Sequence, residues 1–276
     1  MIKKFMKKSK VDPALKKHLA KALPVAVAAA TEAGAFIRSK FGKFRKLSTK
    51  PDLSLVTEVD KNSEKLVLRK LRKHFPHDQI IAEETGLSSG QLVSSFRWHV
   101  DPLDGTTNFV HGFPFFCVSI GLEFEISDLV LGVIYQPLTG DLYTGIQGGG
   151  AFRNRKPMTV SKTAKMANSL LSTGFSMRRK EFFDREITAF AQISRGSHAV
   201  RRTGSAALDL VHVATGQFDG FWERGLNSWD MVAGLAMIQE AGGSYSRMDG
   251  KPFRIGDDSV LASNGLIHRE MVRAST

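Results

Sequence analysis

The segment WHVDPLDGTTNFVHG, residues 98–112, restricts this chain more than any other stretch. An apolar strand runs up to Asp101, Pro102 keeps the chain from continuing as helix, and a second carboxylate, Asp104, follows within three residues. Two acids are thereby brought to one strand edge, with Gly105, Thr106 and Thr107 leading out of the turn, where backbone N–H groups can face an anion. Neighbouring carboxylates repel unless a cation lies between them. A hard, oxygen-ligated divalent ion such as Mg²⁺, its shell completed by a substrate phosphate, meets that need. Asp-Pro and Asp-Gly pairs are also everyday turn formers, so the segment alone leaves a plain turn open. Glu83 and Glu84 at the end of the strand candidate IIAEE, and Asp230 opening a helix in SWDMVAG, add acids that could converge on it, although an acid at a helix start is commonly a dipole partner.

Around this segment the rhythm is that of an α/β protein. DKNSEKLVLRKLRKHF, 60–75, places Val67, Leu71 and Phe75 on one stripe and predicts an amphipathic helix with Asp60 as N-cap. DQIIAEE and FRWHV read as strands, and FCVSIGLEFE, LVLGVIYQP and DLYTGIQGGGAFRN as an antiparallel meander. Strands are then expected at SLLSTGF, HAVRR, FDGFWER, GSYSRM and SVLASN. They alternate with helices at EFFDREITAFAQI, GSAALDLVHVATG and SWDMVAGLAMIQEAGG, the last helix closing at Gly242 and Gly243. No linker divides the chain and no 20–50-residue period recurs, so we expect sheets sandwiched by helices in two packed halves.

The 276 residues, 42% hydrophobic and 24% charged, suffice for a substantial core and exclude a disordered or fibrous chain. Net charge is +12, but the first 21 residues hold eight Lys against one Asp and the remainder carries only +5. Basicity is therefore concentrated in a leader rather than in a nucleic-acid-binding domain. The following apolar run, ALPVAVAAA, is broken by Pro24 and too short to span a bilayer. Val27, Ala30, Gly34, Ile37 and Phe41 continue at helical spacing, so the run reads as a core helix starting near Pro24 behind a basic leader, not as a signal peptide. Single Cys117 rules out an intrachain disulfide and the CxxC and zinc-ribbon patterns, which fits a reducing cytoplasm. There is no GxxxxGK[ST] loop, GxSxG elbow or HExxH; Gly148–Gly150 read as a hairpin turn, and the eight His are scattered without ligand spacing.

LVTEVD (55–60), AEET (82–85), DPLDGTTNFVHGFP (101–114), GSAALDL (204–210) and WDMVAG (229–234), in this order, resemble the inositol monophosphatase family, and the likeness covers nearly everything after about residue 22. The resemblance implies an αβαβα sandwich of the inositol monophosphatase/fructose-1,6-bisphosphatase type. On that reading residues 1–22 form a flexible leader and 23–276 a single phosphatase domain, with halves at about 23–155 and 156–276. It implies two or three Mg²⁺: Glu83, Asp101 and the carbonyl of Leu103 at the first, and Asp101, Asp104 and Asp230 at the second. Gly105 and Thr106 would donate backbone N–H groups to the phosphate, and the Thr106 hydroxyl, oriented by Asp60, would help deprotonate the attacking water. Asp60, Thr106 and Glu83 are thus the catalytic candidates, with Thr107, Ser205 and Glu223 as further substrate contacts, Glu223 meeting a ring hydroxyl. Lys50 would lie near the metals. Ala82 stands where many members have Gly, and Ser228 where bacterial members often have Pro.

The activity implied is Mg²⁺-dependent, Li⁺-sensitive hydrolysis of inositol monophosphate or a similar polyol phosphate by a cytoplasmic homodimer without membrane attachment. Fructose 1,6-bisphosphate and histidinol phosphate are same-superfamily alternatives, while Thr107, where 3′-phosphonucleotide phosphatases usually carry Lys, argues against the latter group. A further alternative is a binding role with RNA or RNA polymerase in ribosomal RNA transcription, as for one bacterial family member.

Overall fold

A computed structural model describes residues 13–43, 47–49, 55–88, 94–174 and 180–275. The chain opens with helix α1 (Pro13–Lys40), a short antiparallel pair β1 (Leu47–Thr49) and β2 (Leu55–Thr57), and helix α2 (Glu58–His74). An eight-stranded sheet follows, built from β3 (Gln79–Ala82), β4 (Gly86–Ser88), β5 (Phe96–Asp104), β6 (Cys117–Phe124), β7 (Asp128–Gln136), β8 (Asp141–Ile146), β9 (Gly150–Arg153) and β10 (Lys156–Pro157). Its order is β10-β9-β8-β7-β6-β5-β3-β4, so β6 to β9 form the expected meander and β10 extends it. A one-turn helix, α3 (Thr106–Val110), leaves the end of β5. The rest of the chain supplies β11 (Leu170–Thr173), α4 (Lys180–Gly196), β12 (Ala199–Arg201), α5 (Ala206–Ala214), β13 (Gly220–Arg224), α6 (Ser228–Glu240), β14 (Ser244–Ser246), β15 (Ser259–Ser263) and α7 (His268–Ser275). Its five strands are ordered β12-β11-β13-β15-β14, parallel between β12, β11 and β13.

The layers run α1/α2, eight-stranded sheet, α5/α6, five-stranded sheet, α4/α7. Strand alternation explains this. In β5, Trp98 and Val100 join the apolar cluster under α1 and α2, whereas His99 and Asp101 face α6. A second apolar cluster fills the space between the sheets around α5 and α6, and a third lies under α4 and α7.

Helix α1 differs from expectation: it starts at Pro13, about ten residues before the leader was to end, and holds Pro24 in its interior. Leu15, Leu19, Ala22 and Ala26 continue the 3/4 spacing through the lysine-rich stretch and are buried, while Lys16, Lys17 and Lys21 stay outside. The lysines mark the outer face of a core helix, and residues 13–22 are not leader. At Pro24 the helix forgoes one main-chain hydrogen bond, because proline has no N–H to offer the carbonyl four residues back. By length and composition α1 could cross a membrane, but its apolar stripe packs on α2, β6 and β7.

Helix α6 lies unusually close to the sheet. Gly121, Gly132 and Gly145 sit side by side on β6, β7 and β8 in direct register. A Cβ on Gly132 would come 2.2 Å from the carbonyl oxygen of Ala233, and one on Gly121 2.5 Å from the side chain of Val232. This glycine row is a seat in which the α6 backbone rests on the sheet.

Candidate active site

Three residues apart on a regular strand, Asp101 and Asp104 would point to opposite faces. The pairing of β5 with β6 slips between them, Asp101 facing Ser119 and Asp104 facing Cys117, so β5 carries one extra residue. Pro102, which has no N–H for a ladder bond, falls inside this bulge, and the bulge swings both carboxylates to the same edge. Leu103 N–H donates to Asp101 Oδ1 at 2.9 Å, fixing the turn from within.

Burial first, and then the carboxylates of Glu83, Asp104 and Asp230, push Asp101 well above the ordinary carboxylate range, and Glu83 shares a hydrogen bond with it. Asp104 is likewise raised by burial, against hydrogen bonds from the Ser205 hydroxyl and the Ala207 N–H that favour its charge. Glu83 enters from the end of β3, where its N–H donates to the Val100 carbonyl at 3.1 Å. Asp230 stands in the first turn of α6 with Oδ2 accepting from Asn227 N–H at 2.7 Å. Four acids, Asp101 and Asp104 buried and Glu83 and Asp230 half-buried, therefore meet where β3 and β5 end and α6 begins. In the rotamers present, no group of three Asp, Glu, His or Cys among the described residues closes on a single ion position. The Asp104 and Asp230 contacts just named account for part of this, since both side chains are turned toward main-chain and hydroxyl donors. The donor set itself, carboxylates with the Leu103 carbonyl close by, is all hard oxygen and suits a divalent cation that would relieve the mutual repulsion.

Beside these acids, Thr106 Oγ donates toward Asp60 Oδ1 at 2.9 Å and toward the Leu103 carbonyl at 3.0 Å. The expected N-cap role of Asp60 is corrected here. Thr57 is the N-cap of α2, accepting from Val59 N–H, and Asp60 sits three residues on, its Oδ2 accepting from Thr57 N–H at 2.7 Å. Asp60 thus joins both tasks with different oxygens: Oδ2 closes the capping box and Oδ1 receives Thr106. Gly105, at φ +93, begins α3 in the left-handed region, and a Cβ there would meet the Phe115 carbonyl at 3.0 Å.

A pocket of about 430 Å³ opens next to the acids, lined among others by Asp104, Thr107, Ser205, Glu223 and Asp230. Glu223, on β13, is pushed well above the usual carboxylate range by burial and then by Asp230 and Asp209, and its carboxylate lies against Gly174, where a Cβ would come within 2.4 Å. Ser205 caps α5 and points its hydroxyl at Asp104, so it acts on the acid as well as on the pocket.

The sequence matches the inositol monophosphatase family over residues 18–276. The chain belongs to that family. Members are phosphoric monoester hydrolases, and this protein is such an enzyme. An inositol-1-monophosphatase of Synechocystis sp. is 43% identical over 254 residues, covering 91% of this chain and 88% of the relative. A fructose-1,6-bisphosphatase/inositol-1-monophosphatase of Aquifex aeolicus is 36% identical over 91% of this chain and 94% of its own. The solved structure of an inositol monophosphatase from Anabaena (Nostoc) sp. superposes with a TM-score of 0.84 at 43% identity, covering 93% of this chain and 96% of that one.

The structure also brings residues of this phosphatase to the site that the sequence reading did not single out. Glu64 is buried and accepts Glu84 N–H at 2.8 Å, holding the turn after β3. It follows Asp60 by four residues on the buried side of α2, a spacing that could have revealed it. Asp209, buried with Thr203 Oγ donating to it, and Arg202 line the pocket. Asp209 lies inside GSAALDL, whereas Arg202 carried no signal. Lys50 lies outside the described residues.

Proposed function

We propose that this phosphatase hydrolyses inositol monophosphate, or a polyol phosphate of similar size, with Mg²⁺ held by Glu83, Asp101, the Leu103 carbonyl, Asp104 and Asp230. The observation that supports this most is the crowding of Glu83, Asp104 and Asp230 around buried Asp101 at the edge of a pocket large enough for one sugar-sized ring. When bound, two such ions would lower the pKa of a water and stabilise the departing alkoxide. The chain's own groups do the rest. Thr106 Oγ accepts a hydrogen bond from the attacking water, and as the water's proton passes to it the hydroxyl's own proton passes to the Asp60 carboxylate, which ends as the acid. First-turn N–H groups of α3, beginning at Gly105 and Thr106, have no carbonyl four residues back and face phosphate oxygens. Glu223, Thr107 and Ser205 hold the polyol from the pocket wall, Glu223 receiving a ring hydroxyl.

Fructose 1,6-bisphosphate is the second reading, supported by Arg202 on the pocket wall, a guanidinium suited to a second phosphate, and by the double name of the Aquifex relative. We further assign Li⁺ sensitivity, a homodimer and a cytoplasmic setting, the last consistent with a single, buried Cys117. RNA or RNA polymerase is a subordinate partner, resting on the Lys-rich start of the chain. Phosphate release with Mg²⁺ over inositol 1-phosphate, fructose 1,6-bisphosphate and histidinol phosphate decides among these: inositol 1-phosphate is expected to give the highest kcat/KM. No turnover of any of the three would sink the reading.

A further inference from the structure

His99 is fully buried on β5, and its two ring nitrogens reach different layers. Nε2 lies 3.1 Å from Glu123 Oε2 on β6, and Nδ1 lies 2.8 Å from Ser228 Oγ, the first residue of α6. Glu123 is anchored independently, Oε1 accepting Ser127 N–H at 2.7 Å and Oε2 pairing with Arg97 at 3.3 Å. An ionised carboxylate can only accept, so Nε2 carries the hydrogen, and Nδ1 is left to accept from the Ser228 hydroxyl. The chain Glu123–His99–Ser228 therefore has one donor order along its length and ties the sheet to the start of the helix.

The positions are what give this contact a function. His99 lies two residues before Asp101 on the same face of β5, and Ser228 lies two residues before Asp230 in the first turn of α6. A hydrogen bond thus links the two segments that carry the facing acids, and a longer one beside it, Ser119 Oγ to the Trp229 carbonyl at 3.3 Å, ties the same helix turn to β6. The glycine row fixes how close α6 comes to the sheet, and at its far end the Glu240 carboxylate accepts from Gly148 and Gly150 N–H, about twelve residues from Ser228 along the helix. A directional bond at its first residue resists sliding of the helix along its own axis at the end that carries Asp230.

We propose that His99 is a positioning residue that, through Ser228, sets the register of α6 against β5 and so the distance from Asp230 to Asp101 and Asp104. The proposal rests on the reading of these acids as divalent-ion ligands, since outer partners of metal ligands act by holding them in place.

The test uses the full chain and Mn²⁺ as probe, measured as free Mn²⁺ by electron paramagnetic resonance without substrate, together with thermal melting in EDTA. Ser228→Ala removes one hydroxyl from a half-buried helix start and leaves the fold intact. It is expected to weaken the Mn²⁺ step that requires Asp230 by roughly tenfold, the size seen for outer partners of metal ligands. Its melting temperature in EDTA falls modestly, because Nδ1 of His99 loses its partner, and Ser228→Thr, which keeps the hydroxyl, restores both the melting temperature and the affinity. His99→Gln combined with Ser228→Ala should bind no worse than the weaker single variant, because both act through one contact. Wild-type Mn²⁺ affinity in Ser228→Ala, or a Ser228→Thr variant that recovers the melting temperature but not the affinity, would overturn the positioning role. Should the wild-type protein bind no Mn²⁺, or Asp230→Asn bind it unchanged, the metal reading fails and the proposal falls with it.

Discussion

The acids at this site belong to two regions held in place by different means. Asp101 and Asp104 stand on β5, which is hydrogen-bonded to β3 on one side and β6 on the other, so their positions follow from main-chain pairing and one bulge. Asp230 stands on α6, which shares no ladder with either sheet; its distance from the sheet follows from how its backbone fits onto Gly121, Gly132 and Gly145, and side-chain bonds at its two ends hold it lengthwise. Pairing fixes a strand regardless of most side chains around it, whereas a packed helix moves with any atom added beneath it. The strand-borne acids should therefore respond to changes at the site itself, and the helix-borne acid also to changes well away from it.

The largest effect is expected at the strand side. Asp101→Asn removes the acid around which the others crowd, and kcat should fall at least a thousandfold, a barrier rise of about 4 kcal/mol. Circular dichroism of the variant should match wild type, since an amide relieves repulsion in the buried cluster. Retention of a tenth of wild-type kcat would break the assignment of Asp101 to the reaction. Next comes the outer cover of the strand region. Removing residues 2–21 deletes Leu15 and Leu19 and the stacking of His18 on Phe96, and should cost roughly 3–6 kcal/mol at ~1.5–3 kcal/mol per buried Leu. Removing residues 2–12 alone, which leaves Leu15, His18 and Leu19 in place, should cost less than that. Equal midpoints for both truncations would show that α1 before Pro24 is dispensable.

A smaller effect addresses the helix side. Gly132→Ala drives a methyl into the Ala233 carbonyl and should lower stability by about 1–3 kcal/mol in urea denaturation. It should also raise the Mg²⁺ concentration needed for half-maximal activity, although Gly132 touches no acid of the site. A stability loss with unchanged Mg²⁺ dependence would mean that α6 does not depend on its seat for the placement of Asp230. Smallest of all, Glu223→Gln keeps shape and hydrogen bonding at the pocket wall, and should raise KM several-fold while kcat changes little, a loss of about 1 kcal/mol. A kcat defect larger than the KM change would move Glu223 into the chemistry.

How much of this was legible follows the same division. The strand-borne site is written in one contiguous segment, DPLDGTT, and most strand and helix assignments followed from local periodicity. The glycine row was not legible, because Gly121, Gly132 and Gly145 are brought abreast by strand register that no local window contains. The start of α1 is hidden, because eight lysines in the first 21 residues mask the 3/4 spacing of Leu15, Leu19 and Ala22. Asp60 imitates a cap because an acid before an apolar stripe is a common start signal, yet Thr57 three residues earlier provides the hydroxyl. Helix α7 was missed: its eight residues bury little beyond Met271 and Ser275, too short a stretch for a periodic signal.

The account turns on acids from the two regions jointly holding divalent ions, and anomalous diffraction at the manganese edge from crystals soaked in Mn²⁺ tests that most directly. The account predicts peaks within coordinating distance of Asp101, with Asp104 turned away from Ser205 and Asp230 turned away from Asn227 to share one of them. A map with no peak at Asp101, or with Asp230 still bound to Asn227 and outside every coordination shell, would contradict it.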